Sequence, residues 1–371
     1  MPWLDSSIQE GPDENDGDDG VTDWVQRQYG KGEIDRAGEL LVPWWRGETQ
    51  PDRLGQAYII IQNWRTSHGL PLNVFQAGLR QRAKRIDPKA IIAQRLKRFS
   101  SVMNKLVREP NMKLSQMQDL GGCRAILADV ATVDRLYQSY RHSERLFDTE
   151  GSLKCYDYIR HPKSDGYRGI HVVGRYLARR DTRQPWNGHR VEIQLRSRLQ
   201  HAFATTVETV TTFTGTPLKF GAGPDEWRRF FSLMGSALAV REGTEPVENT
   251  PGNRGELIDE LRRATKGLRV RHRLRGWTSA LKQFPRKNIK AFKWLLLVLN
   301  ITEQTTNVTG YANRNEASRA VEEIELSKRP ELDAVLVWVN DISALQTAYP
   351  NYYADTREFL EALNIALRGG A

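Results

Sequence analysis

The chain has 371 residues, 39% hydrophobic and 27% charged, a composition that supports a globular protein with ample core. No run approaches the ~18 apolar residues of a bilayer span, the first residues lack a secretion-signal pattern, and two cysteines cannot build a disulfide framework. A membrane-spanning, exported or disulfide-stapled class is thereby excluded, and Cys123 and Cys155 are expected as buried free thiols in the cytoplasm. Charge is uneven: the first 23 residues hold eight acids and no Lys or Arg, so all 55 basic residues face 37 acids in the rest, a formal +18. A body that basic attracts polyanions such as nucleotides or tRNA.

Residues 1–23 read as a disordered acidic leader. From there to about residue 108 the pattern is helical, with apolar residues at helical spacing over 57–64 and 74–85 and a further helix predicted over 91–107. Short β-rich runs follow at 122–127, 153–159, 170–177 and 190–195, with a helix over 130–146 between the first two. Helical spacing returns at 199–213 and 226–240. The predicted class is α+β: a mixed sheet with flanking helices spanning 24–240. Residues 241–256 (REGTEPVENTPGNRGE) hold two prolines and three glycines and read as a linker. Beyond it, 257–371 is expected as a separate small α/β domain. It starts with one basic amphipathic helix over 257–277, continues with strands over 292–299, 305–311 and 334–338 and a helix over 316–325, and closes on a helix over 356–367. This region has one His and no Cys, so it cannot build a His/Cys zinc site alone.

Neither GxxxxGK[ST] nor a strand-associated GxGxxG occurs, and no His precedes an Asp, so a P-loop and a His-Asp metal hydrolase are excluded. Four segments remain. Lys97, Ser101 and Lys105 would line one stripe of the predicted helix with Arg95 near it, three cations and a hydroxyl suited to a triphosphate. Asp119 precedes Gly121, Gly122, Cys123 and Arg124 at the start of a strand, where a carboxylate either closes a turn or holds Mg2+ on substrate phosphates. The loop in DYIRHPKSDGYRGIH (157–171) can offer Lys163 and Arg168 to phosphates and the Tyr167 ring to a base, or be a hairpin with an aromatic plug. In VEIQLRSRLQH (191–201), alternation puts Val191, Ile193 and Leu195 on one face and Glu192, Gln194 and Arg196 on the other.

Together these segments resemble the RelA/SpoT synthetase family over about 91–204. The resemblance implies a pyrophosphotransferase that moves the β,γ-diphosphate of ATP to a ribose 3′-hydroxyl with Mg2+. It implies that Arg95, Lys97, Ser101, Lys105 and Arg124 hold ATP, that Asp119 and Glu192 bind the metal, and that Glu192 with Gln194 serves catalysis. The acceptor side would be Lys163, Tyr167, Arg168 and His171. Gly169 stands where the family usually has Ser. The whole-chain plan resembles the CapRel type of fused toxin–antitoxin within the toxic small alarmone synthetases. That resemblance implies a C-terminal domain restraining the synthetase, with Tyr349 and Tyr352 plugging its pocket until a phage protein triggers release. The RelA/SpoT resemblance leaves two acceptors: the 3′-terminal adenosine of tRNA, favoured by the basic run Arg80, Arg82, Lys84, Arg85 and Lys89, or GDP/GTP, which would make a stringent-response (p)ppGpp synthetase. A non-catalytic RNA-binding or sensor protein is the alternative of another class. Nothing in the sequence specifies the oligomeric state.

Overall fold

The computed structural model describes residues 24–49, 52–141, 154–178, 180–214, 225–280, 294–338 and 356–369, apart from 301, 304, 313, 328 and 330. The acidic leader and the segment with Tyr349 and Tyr352 lie outside the described residues.

Three helices come first, α1 (Lys31–Trp45), α2 (Leu54–Thr66) and α3 (Gly69–Ile86). Strand β1 (Ile91–Leu96) and helix α4 (Phe99–Arg108) follow. One helix was expected here. The apolar 91–93 run pairs instead with Arg124, Ala125 and Ile126 of β2 (Gly121–Leu127), and sheet pairing overrides the helical period. Arg95, Lys97, Ser101 and Lys105 therefore share no stripe: Arg95 is on β1, Lys97 in the bend, and Ser101 and Lys105 on α4.

Next come α5 (Val130–Arg141), β3 (Lys154–Asp157), β4 (Ile170–Arg175) and β5 (Arg190–Ser197). The five strands form a mixed sheet in the order β1-β2-β5-β4-β3, with β2 and β5 parallel and the other pairs antiparallel. One face is apolar. Cys123, Ala125, Ile193, Leu195 and Val172 are buried there with Leu79 of α3 and Leu136 of α5. The opposite face bears the polar side chains.

Helices α6 (Arg198–Thr214) and α7 (Asp225–Glu242) lead through residues 243–253 to α8 (Arg254–Gly267) and α9 (Val270–Ala280). The single helix expected over 257–277 is two, because Arg269 takes a left-handed φ of 49° just after Gly267. Strands β6 (Trp294–Asn300), β7 (Thr305–Tyr311) and β8 (Leu332–Trp338) form an antiparallel sheet in the order β7-β6-β8, with α10 (Arg314–Leu326) against it and α11 (Arg357–Leu367) after it.

Residues 257–371 do not pack as one separate unit. Leu257, Leu261, Val270 and Leu274 from α8 and α9, and Phe359 and Leu363 from α11, share one buried cluster with Phe203, Phe230 and Phe231 of α6 and α7. Hydrophobic area drives this: each end of the segment is amphipathic, and the apolar stripes of α6 and α7 are the partners that cover them. Phe359 is 1% exposed, with ring centroids 6.1 to 6.3 Å from Phe231, Phe230 and Phe203. Phe359→Ala should lower stability by about 3–5 kcal/mol in urea melts. Loss confined to a C-terminal transition, with α6 and α7 unaffected, would contradict the shared core.

Candidate active site

Sheet register assembles the polar face. Arg124 on β2 lies opposite Gln194 on β5, which lies opposite His171 on β4, which lies opposite Tyr156 on β3. Two residues along, Arg95, Gly122 and Glu192 form the neighbouring row. Side chains in such rows stand about 5 Å apart and must interact. A cleft over these rows is lined by Arg95, Lys97, Asp119, Arg124, Glu192 and Gln194, with Glu208 reaching in from α6.

Two clusters occupy it. In the first, Asp119 accepts from Lys97 Nζ at 2.7 Å and from Lys105 Nζ at 3.0 Å. Burial alone would raise the Asp119 carboxyl, but the two ammonium groups hold it below the usual carboxylate range. Burial also pulls the Lys97 ammonium down, despite Asp119. Lys97 and Lys105 thus converge on Asp119, although Lys97 stands in the connection after β1 and Lys105 on α4.

The second cluster is a closed ring of hydrogen bonds. Glu192 Oε1 lies 2.9 Å from His171 Nδ1, and His171 Nε2 lies 2.5 Å from Tyr167 Oη. Arg196 Nη2 donates to Tyr167 Oη at 2.9 Å and to Gln194 Oε1 at 3.0 Å. Gln194 Nε2 closes the ring by donating to Glu192 Oε2 at 2.7 Å. Arg124 Nε adds a bond to Gln194 Oε1 at 3.2 Å. Burial would push the Glu192 carboxyl up, yet the hydrogen bond and charge of His171, the Gln194 bond and Lys97 bring it down to about 2. The carboxylate is an anion at every physiological pH.

The cations are in excess. Burial, and then the neighbouring guanidiniums of Arg196 and Arg95, lower Arg124 to about 9, with Glu208 pulling the other way. Arg95, Lys97, Lys105, Arg124 and Arg196 outnumber Asp119, Glu192 and Glu208 in and around the cleft, a surplus of positive charge that a polyphosphate would balance.

The acceptor-side residues divide. Tyr167 is half-buried, with the Arg196 guanidinium 5.1 Å and the Lys163 ammonium 5.4 Å from its ring centroid. Lys163 also sits 4.3 Å over Tyr158, whose ring stacks on Tyr156 at 6.0 Å. Arg168 does not face the cleft. It is 3% exposed and donates to the Gly235 and Glu245 carbonyls at 2.6 and 2.8 Å, so it ties the loop to α7 and the segment after it. The expected phosphate role for Arg168 is therefore corrected: its two terminal nitrogens both donate to backbone carbonyls, away from the cleft. The loop comes that close because Gly166, at φ 86°, leaves room that a Cβ would fill 2.5 Å from the Phe231 carbonyl. Gly169, at φ 148°, likewise spares a contact of 3.2 Å with Arg196 and with the Leu195 carbonyl.

Sequence reading missed Glu208, which is 14 residues beyond Gln194 and comes into the cleft only through the fold of α6 over the sheet. It also missed the Arg196 and Tyr167 hydroxyl bonds, although the alternation in 191–196 already put Arg196 on the polar face. Ser101 is half-buried on α4. Among the described residues no three His, Cys, Asp or Glu side chains group to hold a metal, and no helix is long and apolar enough to cross a membrane.

Residues 94–213 match the model of a region found in RelA/SpoT proteins, and that span contains both clusters except for the tie to α7. The comparison with curated proteins gave no match. Among solved structures, small alarmone synthetase 2 from Bacillus subtilis is 19% identical, with 46% of this chain and 87% of that one covered at a TM-score of 0.38. Small alarmone synthetase 1 from Bacillus subtilis bound to its product pppGpp is 18% identical, with 51% and 93% covered at 0.40. A GTP pyrophosphokinase family protein from Streptococcus pneumoniae is 21% identical, with 46% and 83% covered at 0.36. Likeness at those scores is too low to bear on activity. Over residues 94–213, then, the chain carries a region found in RelA/SpoT proteins.

Proposed function

We propose that the cleft moves the β,γ-diphosphate of ATP to the 3′-hydroxyl of the terminal adenosine of tRNA. The observation that carries the transfer is a cation-rich cleft that also holds a fixed anion: Lys97 and Lys105 grip Asp119, Arg95 and Arg124 line the same cleft, and Glu192 is kept ionised there. Arg95, Lys97, Ser101, Lys105 and Arg124 bind the triphosphate. Asp119 and Glu192 fit a Mg2+ ion shared with phosphate oxygens, since that ion takes one or two carboxylates and leaves the rest of its shell to substrate. Bound there, Mg2+ would neutralise phosphate charge.

The 3′-oxygen attacks the β-phosphorus, the Pα–O–Pβ bridge breaks, and AMP leaves with the bonding pair. Phosphoryl transfer of this loose kind asks for positioning and charge neutralisation more than for a strong base. A carboxylate near 2 is a weak acceptor. It suffices when the hydroxyl proton leaves after the new O–P bond has acidified it. Gln194 and His171 hold Glu192 in place, and Lys163 and the Tyr167 ring receive the acceptor's phosphate and base.

Two features favour RNA over a free nucleotide as acceptor. Arg85 and Lys89 are exposed at the end of α3 and just after it. Other members of that run are committed, with Arg82 bonding the Ser139 carbonyl at 2.9 Å and Lys84 the Pro88 carbonyl at 2.9 Å. A second basic surface is the groove between α8, α9 and α11, lined by Arg262, Lys266, Arg269, Arg271, His272 and Arg368. Such a groove suits a phosphate backbone. The same chemistry on GDP or GTP would make the protein a (p)ppGpp synthetase. Within this reading the chain is an autoinhibited translation toxin of phage defence. Its C-terminal part restrains the cleft, with Tyr349 and Tyr352 as the plug and a phage protein as the trigger.

Incubation with γ-32P-ATP and either bulk tRNA or GDP/GTP tests the acceptor. Label on tRNA is expected, and label confined to the guanine nucleotide would overturn the tRNA assignment. In the same assay Asp119→Asn and Glu192→Gln should each lower transfer by at least ~100-fold with the fold retained, the scale of a lost charge-stabilising group. Near wild-type AMP release by either folded variant would remove the acid it replaces from the chemistry and overturn the paired-acid assignment.

A further inference from the structure

Glu325 belongs to α10, in the three-stranded C-terminal unit, but its carboxylate is spent elsewhere. Oε2 accepts from Tyr58 Oη at 3.0 Å and from Gln62 Nε2 at 2.9 Å. Oε1 accepts from Arg65 Nη1 at 3.1 Å and from the backbone N–H of Phe99 at 3.3 Å. Four donors from α2 and α4 thus converge on one side chain that is 9% exposed, opposite an Arg65 that is 13% exposed. Gln62 also donates to the Tyr58 hydroxyl, and burial and then the Glu325 charge push that hydroxyl well above its ordinary value, so it remains a donor. The next residue, Leu326, packs against the apolar cluster of α1, α2 and α4. This is a built seat for one carboxylate.

Its position matters because Phe99 opens α4, the helix that carries Ser101 and Lys105. The first-turn amides of a helix form the positive end of its dipole and are where anions, phosphates included, are held. Among the described residues Glu325 is the anion at that end. That carboxylate, paired with Arg65, occupies an amide of the helix end that a triphosphate approaching Ser101 and Lys105 would otherwise meet, and it fixes α4 through a contact that comes from the far end of the sequence.

We propose that Glu325 is an internal anion seated at the N-terminus of α4, and that its withdrawal with α10 raises the affinity of the cleft for ATP. The proposal rests on the reading that α4 serves the ATP phosphates. A ligand or partner that binds the C-terminal unit better in its undocked form would shift the chain toward the ATP-competent state by its differential affinity for the two states. Arg65, Gln62 and Tyr58 are the residues that set how firmly the unit stays docked.

The test is the binding of a non-hydrolysable ATP analogue with Mg2+ to the full chain by calorimetry, beside hydrogen exchange of α10. Glu325→Gln keeps the shape and removes the charge. It should tighten binding by about 5- to 10-fold, within the usual span of site-to-site coupling, and speed exchange over 314–326. Gln62→Leu and Tyr58→Phe, which loosen the seat from the other side, should shift affinity in the same direction. They decide the matter if Glu325→Gln fails to fold. Folded variants that bind the analogue no more tightly than wild type would overturn the proposal. Because binding is read without transfer, a tighter Glu325→Gln that labels no acceptor would keep the latch and remove the transfer reading, and unaltered binding in an active enzyme would do the reverse.

Discussion

The hydrogen bond from His171 to Glu192 is the contact on which the cleft's geometry depends. A buried carboxylate on its own would take up a proton, and a neutral Glu192 would lose its hold on both Gln194 and His171. With His171 on one oxygen and Gln194 on the other it stays ionised, and those two side chains are in turn oriented by Tyr167, Arg196 and Arg124. Each member of the ring is fixed by its neighbours, so the ring is rigid before any substrate arrives. Preorganisation of that kind is what electrostatic catalysis requires, because dipoles already in place need no reorganisation when charge moves. The ring exists because β2, β5 and β4 are in one register, and a slip of one residue would send Glu192 and His171 into the apolar layer.

Two ties join the far end of the chain to this region. The shared core of α6, α7, α8, α9 and α11 makes the C-terminal helices part of the wall behind the cleft, where α6 also delivers Glu208. Apolar burial of this extent is costly to undo. The Glu325 contact is different in kind: it is centred on a polar side chain, and it lies on the three-stranded unit, which the shared core does not include.

Much of this was legible in the sequence. Period-two alternation over 191–196 marked the polar face of β5 that lines the cleft, because a strand with polar side chains on one side has few structural excuses. The 91–107 segment misled, since three apolar residues ahead of a basic amphipathic run satisfy a helical period, and only the partner strand at 121–127 reveals that they pair. Arg168 misled for another reason: a loop arginine beside lysine and tyrosine looks like a phosphate ligand, and its burial against the Gly235 and Glu245 carbonyls depends on residues about 70 positions away. Glu325 could not be read at all, because nothing in α10 marks it as different from Glu322 or Glu323 until α2 is folded beside it. Local pattern carries the face of an element; long-range pairing decides what that face meets.

The central claim is that the cleft transfers two phosphates as a unit. It is tested most directly by the nucleotide left behind when ATP is consumed in the presence of acceptor. Release of AMP, with both the β- and γ-phosphates recovered on the acceptor, is the predicted result, and release of ADP with the γ-phosphate alone transferred would contradict it.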